Sequence, residues 1–243
     1  MRVLVTRPEP AAGATAERLE ALGHRPVLLP LAEAVHDRSA ARAAFDAPFE
    51  ALVATSAEVF RVLTPVPRTV TDRPVFCVGP ATGKAAAAAG FRTIAIADGT
   101  GLSLADLIEA AFSTPPVHPL LYLAGEPRSP DLETRLAETN IPLRMVVCYR
   151  MRDLPESETD AGRLLAESPP DAVLLYSRES ASRFFRLPAV LAAPERLAGT
   201  HFLCISGKTA SAVPARFADH VQVAGSPDED SLLALLPRPS SQI

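Results

Sequence analysis

Tryptophan is absent and only three residues are tyrosine. The aromatic sandwich that usually holds a flavin is hard to build from so few rings. Lysine is scarce too: only Lys84 and Lys208 stand among 24 basic residues, and the net charge is −4. A general nucleic-acid binder is normally basic, so no nucleic-acid partner is expected. The three cysteines, Cys77, Cys148 and Cys204, lie in apolar strand-like runs, with no CxxC and no Cys/His cluster. They read as buried reduced thiols rather than a disulfide framework. No two of His24, His36, His118, His201 and His220 sit at metal spacing, so no metal site is expected. No run approaches the ~18 consecutive apolar residues of a membrane span. The opening MRVLVTRPEP lacks the apolar core of a signal peptide, and a cytoplasmic protein is the expectation.

Familiar catalytic signatures are also missing. There is no GxSxG, and no GxGxxG follows the first apolar run. The segment GPATGKA at 79–85 is one residue too short for a P-loop and has Ala85 where Ser or Thr is required. No nucleotide or other cofactor is expected.

What is present is a repeated α/β pattern. Hydrophobic residues make up 48% of 243, enough for one large core or two domains of about 100–150 residues each. Strand-like runs fall at 3–6, 26–29, 51–55, 75–78, 93–97, 120–123, 144–149, 172–177, 201–206 and 220–223. Helical patterns fall between most of them, at 11–22, 58–63, 82–89, 102–111, 131–139, 180–185 and 230–236. This alternation predicts an α/β fold with parallel sheets. The runs are continuously apolar, as in strands covered on both faces. The 24 prolines, about twice the usual ~5%, fall mostly between elements and read as loop punctuation.

Two stretches are near copies. VFCVGPATGKA at 75–85 overlays FLCISGKTASA at 202–212, placing Cys77 on Cys204, Gly79 on Ser206 and Thr82 on Thr209. ALVATSAEVF at 51–60 overlays AVLLYSRESA at 172–181, placing Ser56 on Ser177 and Glu58 on Glu179. RVLVTRP at the start matches LLYLAGE at 120–126 more weakly. The weak links between copies are 32–48 and the charged 150–160. The pattern predicts a duplicated scaffold.

Each copy places hydroxyls where a strand feeds a helix. Free backbone N–H groups and the positive helix end favour anions there, and open α/β sheets bind ligands outside the strand carboxyl ends. Thr6, Arg7, Ser56, Gly79, Thr82, Ser177, Ser206, Gly207 and Thr209 are therefore candidate residues for binding carboxylate or phosphate. The same Ser and Thr residues read equally as helix N-caps, and a cap can also bind a ligand. Arg128, Arg150, Arg152 and Arg178 are further candidates for pairing with an anion. Tyr149 reads as the end of its strand.

In order and spacing, VLVTRP, ALVATSAEVF, VFCVGPATGKAAAAAGF, LLYLAGEPRSPDLETRL, VVCYR, VLLYSRESA and FLCISGKTASAV with GSPDEDSLLALL resemble the uroporphyrinogen-III synthase family along nearly the whole chain. The resemblance implies two flavodoxin-like domains joined by a two-stranded linker. It implies one domain from 1–34 and 153–243 and an inserted one from 35–152, with the active site in the cleft between them. It implies a substrate, hydroxymethylbilane, with eight carboxylates. The reaction it implies is closure with loss of water and inversion of ring D, through a spiro intermediate. It implies no cofactor, a monomer, and catalysis mainly by positioning. Carried over by position, the family's threonines fall on Thr82 and Thr209, its serines on Ser56 and Ser177, and its tyrosine on Tyr149. Tyr149 is expected to donate to the departing hydroxyl. Glu58, beside a polyanionic ligand, is expected to point away. The alternatives are a non-catalytic two-domain binder of an anionic small molecule and a flavin protein.

Overall fold

The protein is represented by a computed structural model that describes residues 1–237. The last six residues of the 153–243 segment lie outside the described residues. Eleven strands form among the described residues. They are β1 (Arg2–Val5), β2 (Arg25–Leu28), β3 (Ala32–His36), β4 (Leu52–Ala54), β5 (Val75–Cys77), β6 (Ile94–Ile96), β7 (Leu120–Glu126), β8 (Leu143–Asp153), β9 (Ala172–Leu175), β10 (His201–Cys204) and β11 (Val221–Val223). The chain divides into two compact units. One takes 1–33 together with the chain from 152 onward, and the other is Ala34–Met151.

The first unit holds a five-stranded sheet in the order β11-β10-β9-β1-β2, every pairing parallel. Counted along its own chain this is 2-1-3-4-5, one of the two common doubly wound orders. Successive side chains of a strand point to opposite faces, and here both faces are covered. Val173 and Leu175 of β9 join Phe202 and Cys204 of β10 in one core. Ala172 and Leu174 join Leu203 in the other. Such strands cannot alternate apolar with polar, so their sequence is a continuous apolar run.

The second unit holds a six-stranded sheet in the order β3-β8-β7-β4-β5-β6. From β8 to β6 the pairings are again parallel. Laying β4 on β9 and β5 on β10, as the sequence repeat does, makes the orders β8-β7-β4-β5-β6 and β2-β1-β9-β10-β11 coincide. The faces coincide as well. Leu52, Ala54, Val75 and Cys77 share one core, and Val53 and Phe76 share the other.

The departures from the sequence pattern cluster at 32–48 and 150–160. The short strand β3 forms within the first, and β8 runs to Asp153, beyond the expected end at Tyr149. The charges of this weak link are paired across strands. Arg150 Nε donates to Glu126 at 2.8 Å, and Arg152 donates to Glu33. Opposed charges on neighbouring strands support pairing. The unexpected helix Glu156–Glu167 follows, starting without a side-chain cap but with Glu156 and Glu158 in its first turn, where negative charge suits the helix dipole.

Candidate functional site

In the first sheet, and from β8 to β6 in the second, the strands run parallel, so their carboxyl ends share one side. In the first unit, Thr6 and Arg7 follow β1, Tyr176 and Ser177 follow β9, and Ser206 follows β10. The helix after β1, Ala11–Ala21, buries Ala12 and Leu19 in one core, whereas the helix after β9, Arg178–Arg186, buries Ala181 and Phe184 in the other. The chain therefore leaves β1 and β9 toward opposite faces. Such a switch point opens a crevice at the strand ends. In the second unit the corresponding point lies between β7 and β4, with Thr55 and Ser56 at its edge.

The hydroxyls at these ends are tied into local structure. Ser177 is exposed and caps helix Arg178–Arg186, accepting from Ser180 N at 3.0 Å in a reciprocal capping box. Ser206 accepts from Thr209 N at 3.3 Å and lies 3.1 Å from Thr209 Oγ1. Thr209 and Thr82 each occupy the third position of their helices, after Ser206 and Gly79, and are 2% and 5% exposed. Gly79 supplies no side-chain cap. Gly207 opens the four-residue helix Gly207–Ala210 and is exposed. Ser56 accepts from Glu58 N at 3.1 Å. Thr6 is 1% exposed and its hydroxyl donates to Leu174 O at 3.0 Å. That bond pins β1 to β9 and commits the Thr6 proton inward.

Tyr149 lies inside β8, opposite Gly125 of β7. It is 8% exposed and packs in the core with Leu121, Leu123 and Cys148. Burial pushes its phenol up to about 12, against a smaller opposing effect of its hydrogen bond with Ser56. It is therefore neutral at pH 7. Tyr122 is more deeply buried, 2.9 Å from Thr55 Oγ1.

Glu58 is bonded to two basic side chains. His36 Nε2 lies 2.6 Å from its carboxylate, and Arg61 donates to the other oxygen. Arg128 is bonded to Glu133 at 2.6 Å. Arg150 and Arg152 are engaged as described above, while exposed Arg178 has no ion-pair partner among the described residues.

A second cluster centres on Glu229, which the sequence reading did not single out. Glu229 Oε1 accepts from Arg7 Nη1 at 3.0 Å, Thr15 Oγ1 at 2.5 Å and Tyr176 OH at 2.7 Å. Glu229 Oε2 accepts from Arg18 Nη1 at 2.9 Å. Burial alone would raise the Glu229 carboxyl. The Thr15 and Tyr176 hydrogen bonds and the two guanidinium charges outweigh it and hold the carboxyl below its ordinary value. In sequence this stretch shows as the helical pattern at 230–236 and within GSPDEDSLLALL, neither of which singles out Glu229. Its partners lie more than 50 residues away.

A cavity of about 260 Å³ lies elsewhere, at the amino ends of β9 and β10, lined by Met1, Ala172, His201 and Leu203. None of the expected site residues lines it. Among the described residues no group of His, Cys, Asp and Glu could hold a metal ion, and no helix is long and apolar enough to cross a membrane.

Over 112 residues the protein is 31% identical to a uroporphyrinogen-III synthase of Schizosaccharomyces pombe, a stretch covering 45% of this chain. The chain spans 44% of the length of that curated relative. A mutant uroporphyrinogen III synthase of the extremely thermophilic bacterium Thermus thermophilus superposes with a TM-score of 0.59 at 22% identity, covering 96% of both chains. A uroporphyrinogen-III synthetase of Helicobacter pylori superposes at 0.57 and 19% identity, covering 97% of this chain and 98% of that one. At such identities these two structures speak for the fold alone. The sequence profile of the family described as uroporphyrinogen-III synthase HemD matches residues 13–234. With the parallel α/β sheets and the ordered motifs, that match places the chain in the uroporphyrinogen-III synthase family.

Proposed function

We propose that the protein converts hydroxymethylbilane to uroporphyrinogen III, as a cytoplasmic, monomeric enzyme working without a cofactor. The observation that carries this reading is the family match across 13–234. The reading takes each unit as a flavodoxin-like domain, with limits at 34/35 and 152/153 and with β3 and β8 as the linker.

The substrate brings eight carboxylates and intrinsic reactivity. Closure without ring inversion needs no catalyst, so the protein's task is to hold one folded geometry. Carboxylates are held by charge-assisted hydrogen bonds and helix N-termini. Arg7, Ser177, Ser206, Gly207 and Thr209 at the ends of one sheet, with Ser56, Gly79 and Thr82 at the ends of the other, are the proposed donors. Where a hydroxyl is already spent, as in Thr6, the backbone remains the donor. Tyr149 acts on the leaving group. A phenol raised to about 12 gives up its proton reluctantly but still donates a hydrogen bond. It thus steadies the departing hydroxyl, which leaves as water with the proton of its own pyrrole N–H before the new carbon–carbon bond closes the ring.

The test is an assay on freshly generated hydroxymethylbilane, separating type III from type I product. The type III isomer is expected, with chelators leaving the rate unchanged. Only type I product from the folded protein would refute the reading.

A further inference from the structure

Arg7 is 27% exposed in its side chain and sits at the switch point of the first sheet. Its guanidinium stacks over the Tyr176 ring, 4.1 Å from the centroid. Its hydrogen bonds run through Nη1 alone, to Glu229 at 3.0 Å and to Thr15 at 3.3 Å. Nε and Nη2 carry no bond among the described residues. Tyr176 is in turn fixed by its own bond to Glu229. One carboxylate therefore holds both the cation and the ring on which it lies. A long arginine side chain left free would lose rotamer entropy on each binding event. An arginine already clamped does not.

We propose that Glu229 is a positioning residue. Its carboxylate fixes Arg7 on Tyr176 so that the unbonded N–H groups of the guanidinium receive a carboxylate of the substrate. This rests on the polycarboxylate reading given above. Arg7 makes the contact, Glu229 and Tyr176 set its place, and Arg18 with Thr15 keep Glu229 charged and still.

A double-mutant cycle tests it. Arg7→Ala and Glu229→Ala should each raise KM for hydroxymethylbilane about tenfold, the scale of one charge-assisted bond, with kcat within about twofold. The double variant should be no worse than Arg7→Ala alone, because Glu229 works only through Arg7. Glu229→Gln keeps an acceptor for Tyr176 and Thr15 and should fall between. Additive effects on KM, or an unchanged KM in folded Glu229→Ala, would overturn the proposal. If Glu229→Ala does not fold, Glu229→Gln is judged by the same criteria. Failure of both to fold would overturn it too, making Glu229 a clamp for the fold. Fluorescence titration of the same four proteins with uroporphyrin, a stable octacarboxylate, separates this inference from the activity itself. Coupled losses of affinity there support the inference even if the wild type gives no type III product. Uncoupled losses refute it even if the wild type does.

Discussion

Replacing Gly125 with alanine should disturb Tyr149 without touching it chemically. Gly125 faces Tyr149 across the β7–β8 pair, where the register shifts between Ala124 and Gly125. A Cβ built on Gly125 would stand 2.5 Å from the Tyr149 hydroxyl oxygen and nearer still to two ring carbons. Carbon atoms normally approach to about 3.5–4.0 Å, so the ring must retreat by roughly 1 Å or more. It has little room, being 8% exposed and packed among Leu121, Leu123 and Cys148. Overpacking of this kind costs about 1–3 kcal/mol, read as a lower melting temperature by calorimetry. The same retreat pulls the hydroxyl from Ser56, so isomer purity should fall, as is expected of Tyr149→Phe. In a Tyr149→Ala background the added methyl meets open space, and its cost should shrink to about 0.5 kcal/mol or less. Equal costs in both backgrounds, or wild-type melting for Gly125→Ala, would refute the idea that the ring is pinned against this glycine.

Tyr149→Phe removes one hydrogen bond and should cost about 0.5–1.5 kcal/mol. Full rate and isomer purity in that variant would make Tyr149 packing alone. Thr82→Val and Thr209→Val keep shape but remove a donor, so substrate use should fall further than melting temperature does; parallel loss of both would mark them as caps only. Ser177→Ala removes a capping box and should cost ~1 kcal/mol, measured by urea titration. Burial pushes the Cys77 and Cys204 thiols up to about 12 and Cys148 to about 11, from 9.0. Between pH 9 and 11 the unfolded chain releases these protons while the fold retains them. Stability must therefore fall as pH rises, by about 1.4 kcal/mol per pH unit for each group inside its window. A flat stability profile from pH 8 to 10.5 would refute it.

The sheets were legible in the sequence because their strands are buried on both faces. An unbroken run such as 172–175 needs no tertiary context to be recognised. The duplicated junctions were legible for a similar reason, since a strand end, a small residue and a helix start lie within a few positions. The strand β3 and the end of β8 were not. Their stabilising pairs, Arg152 with Glu33 and Arg150 with Glu126, join residues 119 and 24 positions apart, so each charge alone reads as solvated surface. The Glu229 cluster failed the same way, drawing on residues 7, 15, 18 and 176. The Thr6 hydroxyl is recognisable as a donor, but its partner Leu174 O lies 168 residues onward.

The interrupted sheet has a consequence for how the chain is made. β1 is an interior strand of its sheet, between β9 and β2, with Val3 beside Ala172 of β9. When β1 and β2 leave the ribosome, they have only each other, and a two-stranded piece is marginal in water. The strands that complete them are synthesised roughly ten to thirty seconds later at ~5–20 residues per second. The second unit is one continuous stretch and has all its strands by residue 153. It can therefore fold during translation while the first 30 residues wait as an unfinished edge. That edge is the part of this protein most in need of a chaperone, and a ribosome stalled before residue 172 would expose it.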